Sequence, residues 1–322
     1  MTTSPSTTAA EKLREEVHNF YWGVWSELGV SGWGRTHNDW AIDPEPLIAF
    51  SPPVIASEPR LRDEVIDWCS DNWRHISAVR LRHLLKDNPE EDTDAWGQLA
   101  ATVNRLSGSA KWPRATSERD FTRTDRSTLR PLSEGSMIYL RMRSIFGLTA
   151  RTEILRYLLF TGERSTAAML ATQVNYAKRN VAEACESLSR AGLLHSKQTG
   201  NRLYFSLAES KTLLDFLGPY AEIRPDWASL LRVVNGLFRW TGSETSNERV
   251  LTVQAHAAFS EIRDDLESLR LELPRNVIGS AFLPIWYTWA VAVAKSLAAG
   301  EWPVDAGRAA LRPTSPGLFG AR

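Results

Sequence analysis

Only two cysteines, Cys69 and Cys185, occur in 322 residues. Two thiols so far apart in the chain give neither a disulfide framework nor a cysteine-rich metal cluster, and they fit a reducing compartment. Net charge is lacking too: 38 Lys and Arg balance 38 Asp and Glu, which removes the simplest argument for a polyanionic partner. Several catalytic signatures are missing. There is no glycine loop followed by Lys to cradle phosphates, and no nucleophile elbow. There is no Gly-Ser turn followed by the paired aspartates a nucleotidyltransferase needs. The opening MTTSPSTTAA has neither a basic start nor an apolar centre, so it does not read as a secretory leader. These absences leave the expectation of a cytoplasmic protein that is not an enzyme and holds no cofactor.

One uncharged run stands out. Residues 277–294 carry no charge, and eighteen such residues are about the length of a membrane span. Gly279, Ser280, Pro284, Tyr287 and Thr288 interrupt the run, and Lys295 follows it. Trp286 and Trp289 sit mid-run instead of at two interfaces. The expectation is a buried helix between two domains or at a dimer seam, with no membrane contact.

Balanced overall, the charge is unevenly distributed. Residues 111–206 hold sixteen Lys or Arg against eight Asp or Glu, a surplus of +8. Residues 1–110 hold ten against seventeen, or −7, and residues 207–322 twelve against thirteen, or −1. A local surplus is what draws phosphates, because charge is screened within about 8–10 Å in physiological salt.

That surplus surrounds the most informative stretch, 148–207. A first helix is expected from Thr149, with Ile154, Leu155, Leu158 and Leu159 on one face and Gly162 as its stop. Ser165 is the expected cap of a second helix in which Ala168, Ala171 and Val174 face inward. Asn175 and Tyr176 read as a turn, since Asn tolerates the left-handed conformation. A third helix follows over 177–191. Val181, Cys185 and Leu188 form its apolar seam, leaving Lys178, Arg179, Asn180 and Glu183 near its start. Leu193 to Gln198 and Arg202 to Leu207 then read as two short strands around Thr199, Gly200 and Asn201.

This order, with Leu170-Ala171, the turn at Asn175-Tyr176, Val181, Leu188, the AGLL of 191–194 and a basic hairpin, resembles the winged helix-turn-helix of the MarR and ArsR regulator families. The resemblance covers about a fifth of the chain. It implies a double-stranded DNA partner. The third helix would enter the major groove, where Arg pairs with guanine and Asn with adenine, and Lys197 and Arg202 would hold the flank. Ser165, Thr166, Tyr176, Lys178, Arg179, Asn180, Glu183, Lys197, Asn201 and Arg202 are the expected DNA-binding residues.

The remainder reads as mainly α-helical and multidomain. Residues 1–10 are expected to form a disordered tail and 11–106 an acidic helical domain. Its helices fall over 11–28, 61–85 and 94–106, with an extended segment over 40–50. Within it His37, Asp39, Asp43 and Glu45 lie close in sequence but lack metal-ligand spacing, so they read as a polar loop. Residues 107–136 are polar and basic and read as a linker. Its Lys111, Arg114, Arg119, Arg123, Arg126 and Arg130 either follow a DNA backbone or stay solvated. The winged helix occupies 137–207, with an extra helix before it. A helical dimerisation or partner domain spans 208–300, and 301–322 is a flexible tail. The functional expectation is a sequence-specific regulator, most simply a dimeric repressor. The alternative is an antitoxin-like or defence-associated regulator that grips a protein partner through a flanking domain.

Overall fold

The computed structural model describes residues 5–91, 93–242 and 247–303. Among them are fourteen α-helices and one three-stranded antiparallel sheet. The helix α1 (Pro5–Leu28) buries the expected stripe of Val17, Phe20, Tyr21, Val24, Trp25 and Leu28. It also corrects the expected tail over 1–10, since the chain is helical from Pro5; residues 1–4 lie outside the described residues.

The segment expected to be extended over 40–50 is instead largely helical: α2 (Pro44–Phe50) is wholly buried, and α3 (Pro52–Ile55) follows at once. Proline is tolerated in a first turn because the amide it lacks has no partner there. The apolar region 61–85 divides into α4 (Pro59–Asn72) and α5 (Ala78–Asp87), the latter capped by Ser77, whose hydroxyl accepts from the Arg80 amide. Thr93 likewise caps α6 (Asp94–Ser107), which Gly108 ends in the left-handed region at φ 66°.

Residues 110–134 correct the expectation of a tether. They form an irregular strap laid along the acidic helices. Trp112 stacks on Trp96 with ring centroids 6.0 Å apart. The Ser127 hydroxyl donates to Glu64 at 2.6 Å, and the Thr128 amide donates to the Gly29 carbonyl at 3.1 Å. Arg126 pairs with Glu64, and Arg123 with Asp67 and Asp71. These two cations offset part of the negative surplus of residues 1–110.

The chain then runs through α7 (Ile138–Phe146), α8 (Ala150–Thr161), β1 (Ser165–Thr166), α9 (Ala167–Val174), α10 (Lys178–Arg190), β2 (Leu194–Thr199), β3 (Arg202–Leu207) and α11 (Ser210–Leu217). It finishes with α12 (Trp227–Trp240), α13 (Glu248–Ser268) and α14 (Phe282–Ala298). Residues 304–322 of the expected tail lie outside the described residues.

Two cores organise these elements. The larger joins α1–α6 to α12–α14, so the expected N- and C-terminal domains share one interior. α14 lies along α1, and α12 packs on α2 and α13. Buried polar contacts tie the halves: the Tyr21 hydroxyl donates to Asn235 Oδ1 at 2.6 Å, and Trp227 Nε1 donates to the Ala41 carbonyl at 2.8 Å. The stretch Gly279–Ala298 is long and apolar enough by composition to cross a membrane. In this fold its Trp286, Ala290, Val293 and Leu297 are buried in that shared core.

The smaller core draws on α7–α10, the sheet and α11, within 138–221, together with Ala41. The chain enters and leaves this module at one place, where the Ala221 amide donates to the Gly135 carbonyl at 3.1 Å.

Candidate nucleic-acid interface

The module presents α10 on a scaffold set by short-range chemistry. α8 ends at Gly162, which sits at φ 66°. β1 follows, and α9 starts with Thr166 as its cap, its hydroxyl accepting from the Met169 amide at 3.3 Å. Asn175, at φ 56° and ψ 48°, adopts the left-handed turn that its side chain permits. α10 begins at Lys178 without a side-chain cap, which leaves its first amides unsatisfied and its N-terminus electropositive.

One face of α10 is apolar: Val181, Ala184, Cys185 and Leu188 are buried against α8 and α9. Burial pushes the Cys185 thiol up to about 12, so it behaves as a packed apolar group instead of a nucleophile. The opposite face exposes Lys178, Arg179, Asn180, Glu183, Glu186 and Arg190. Arg179 and Glu183 pair at 3.0 Å while remaining 89% and 64% exposed. Such a pair is worth only about 0.3–0.5 kcal/mol, so the Arg179 guanidinium is held only weakly by the carboxylate. The β2–β3 hairpin turns through Gly200 (φ 58°) and Asn201, with Thr199 paired to Arg202. Lys197, Asn201 and Arg202 are all exposed there.

Two expected contact residues are displaced from this surface. Ser165 is fully buried and does not cap α9; it lies in β1 opposite Phe205, one residue before the true cap. Tyr176 is 8% exposed, and its hydroxyl meets Ser77 Oγ at 3.1 Å, so it ties the module to α5. Thr166 spends its hydroxyl on the cap. Ala168, expected to face inward, is exposed; Leu170 and Val174 do the packing.

The basic surplus of 111–206 is likewise not one patch. Arg143 and Arg156 are drawn into a buried cluster with Arg80, Asp43, Glu45 and Glu153. Arg143 Nε donates to Glu153 at 2.8 Å and its Nη2 donates to Glu45 at 2.7 Å, while Arg80 Nη2 donates to Asp43 at 2.6 Å. Burial works to raise the Asp43 carboxyl, but the Arg80, Arg156 and Arg143 guanidinia overcome it and hold it well below the usual range. Arg141 is occupied by backbone carbonyls, at 2.6 Å to Leu217 and 2.7 Å to Pro219. A cavity of about 360 Å³ adjoins the cluster, lined by Tyr139, Arg156, Tyr157, Phe160, Arg224 and Trp227 among others. The clustered acids Asp43 and Glu45 thus serve arginines, and His37 meets the Leu297 carbonyl at 2.9 Å.

Sequence reasoning missed this cluster because its members lie up to about a hundred residues apart and leave no local signal. It also missed β1, whose two residues are too short to show a period, and with it the neighbouring Arg164.

No family model, curated protein or solved structure matches this chain.

Proposed function

We propose that the module is a winged helix-turn-helix that binds double-stranded DNA and that the protein is a sequence-specific regulator of transcription. The reading assigns it no catalytic chemistry. One observation carries it: the first turns of α10 hold Lys178, Arg179 and Asn180 in solvent, above a dry apolar seam and beside a projecting basic hairpin. A helix that reads a major groove needs this division of labour. Donors and acceptors must reach base edges, while the opposite face fixes the helix to its scaffold. Asn180 and Arg179 supply the two side chains best suited to adenine and guanine edges, and each good bidentate contact discriminates by about 1–3 kcal/mol. Lys178, Lys197 and Arg202 supply phosphate contacts.

Repression by a dimer on a near-palindromic site is the simplest form of this reading. Val250 and Val253, both exposed on α13, offer a surface for a second copy. Binding-site selection from randomised duplexes, followed by anisotropy titration, tests the whole. The full chain should enrich one motif. The Lys178→Ala/Arg179→Ala variant, folded as judged by circular dichroism, should lose it. Unchanged selectivity in that variant removes α10 from the interface.

A further inference from the structure

The larger core carries a trough in which the DNA reading has no part. It holds about 470 Å³ and is walled by Trp22 and Trp33, with Glu11, Glu15 and Glu58 around it. Glu11, Glu15, His18 and Trp22 fall on one face of α1, because residues three or four apart stack above one another on a helix. From Glu11 to Trp22 the helix rises about 16 Å, so the trough is long as well as open. Gly32, at φ 118°, turns the chain after α1. The Trp33 indole comes to lie against that of Trp22, with ring centroids 5.9 Å apart and planes within 20°. Trp22 is 5% exposed but Trp33 is 46% exposed, so the outer face of the pair stands open.

The chemistry here favours a cation. Indole faces attract positive charge through their quadrupole. The Arg60 guanidinium already lies over the Trp22 ring, 5.7 Å from its centroid, and Gly32 leaves it room: a Cβ there would stand 2.8 Å from Arg60 Nη2. Among the described residues no ion pair uses Glu11, Glu15 or Glu58. Glu58 precedes α4 as its N-cap residue, yet its carboxylate caps no amide. The other basic groups are committed or neutral. Arg14 donates to the Thr241 carbonyl at 3.1 Å and lies over the Phe238 ring. Burial lowers the His18 pKa, which keeps that ring uncharged at pH 7.

We infer that this trough is a binding site for a linear aliphatic polyamine, whose ammonium groups meet the three carboxylates and whose methylenes lie along the exposed indole of Trp33. Alternating charge and hydrocarbon is what a long wall of separated acids and aromatic rings accommodates. A metal ion is the poorer fit, since among the described residues no group of acids or histidines is close enough to hold one. Arg60 is then a built-in competitor: its guanidinium takes the Trp22 face that an ammonium group would otherwise occupy. The inference is independent of α10 and of the DNA reading.

Calorimetric titration of the full chain with spermidine, a linear triamine, in the absence of DNA tests it. One saturable site is expected, weakened by salt because its contacts are ionic. Trp33→Ala should weaken binding about fivefold, the worth of one exposed contact between a cation and a ring. Glu58→Gln should also weaken it, whereas Glu16→Gln, which removes the same charge from another side of α1, should leave it unchanged. Arg60→Ala should tighten it by about two- to fivefold, because the face of Trp22 is freed. A Kd weaker than about 1 mM overturns the inference. Equal weakening by Glu58→Gln and Glu16→Gln also overturns it, since that is bulk attraction to an acidic region, and so does unchanged affinity in Trp33→Ala. A lysine-rich peptide that binds this face where spermidine does not would make the trough a protein-docking surface and sink the inference too.

Discussion

His37 is buried, and its ring is satisfied in the neutral state. Thr36 Oγ1 meets Nδ1 at 2.8 Å, and Nε2 meets the Leu297 carbonyl at 2.9 Å. Burial lowers its pKa from 6.5 to about 4. Below pH 6.5 the unfolded chain therefore takes up a proton that the folded chain refuses. Stability falls as pH drops from 6.5 towards 4, by about 3 kcal/mol in all, and is unaffected by this group above pH 7. Urea unfolding should show about 2 kcal/mol of that loss between pH 7 and pH 5, and His37→Gln should remove most of that difference. Arg143 faces a different situation. It lies between Glu45 and Glu153, both of which are buried. Arg143→Met leaves those charges short of a partner and should cost about 3–5 kcal/mol in denaturant unfolding, because removing one member of a buried ion pair strands the other.

Elements whose signal is local were legible in the sequence. The seam of α10 could be read because Val181, Cys185 and Leu188 repeat at helical spacing, and Asn175 could be placed because its side chain favours one rare backbone region. Elements defined by a distant partner were not. Tyr176 looked like a surface residue until Ser77, 99 residues earlier, took its hydroxyl. The prolines of α2 argued for an extended chain when they in fact occupy a first turn. The strap over 110–134 has no period at all; its position depends on Gly29, which has φ 108°, and where a Cβ would lie 1.8 Å from the Thr128 carbonyl oxygen. Gly29→Ala should therefore lift the strap while leaving α10 untouched, at a cost of at least about 1–3 kcal/mol. Trypsin should then cut after Arg123 and Arg126 far faster than in the parent, while the motif selection proposed for α10 is unchanged.

The described residues form two cores joined through the buried cluster of Asp43, Glu45, Arg80, Arg143, Glu153 and Arg156. All thirteen tryptophans lie outside 138–221, so their fluorescence reports the larger core alone, whereas far-ultraviolet circular dichroism reports both. With the cluster intact the two signals should trace one unfolding transition, the mark of a cooperative unit. In Arg143→Met they should separate, the dichroism falling in two steps. Coincident curves in that variant would show that apolar contact alone couples the cores.

The pairing of α1 with α14 also bears on synthesis. α1 emerges roughly 250 residues ahead of the helix that covers it, which at about 5–20 residues per second is a wait of roughly 13–50 s. Through that interval the face of α1 that α14 covers stays open, while the module between, whose own contacts are nearer in sequence, is already complete. The nascent chain is therefore a natural client for chaperones at its N-terminus, and the part proposed to meet DNA matures before the part that carries it.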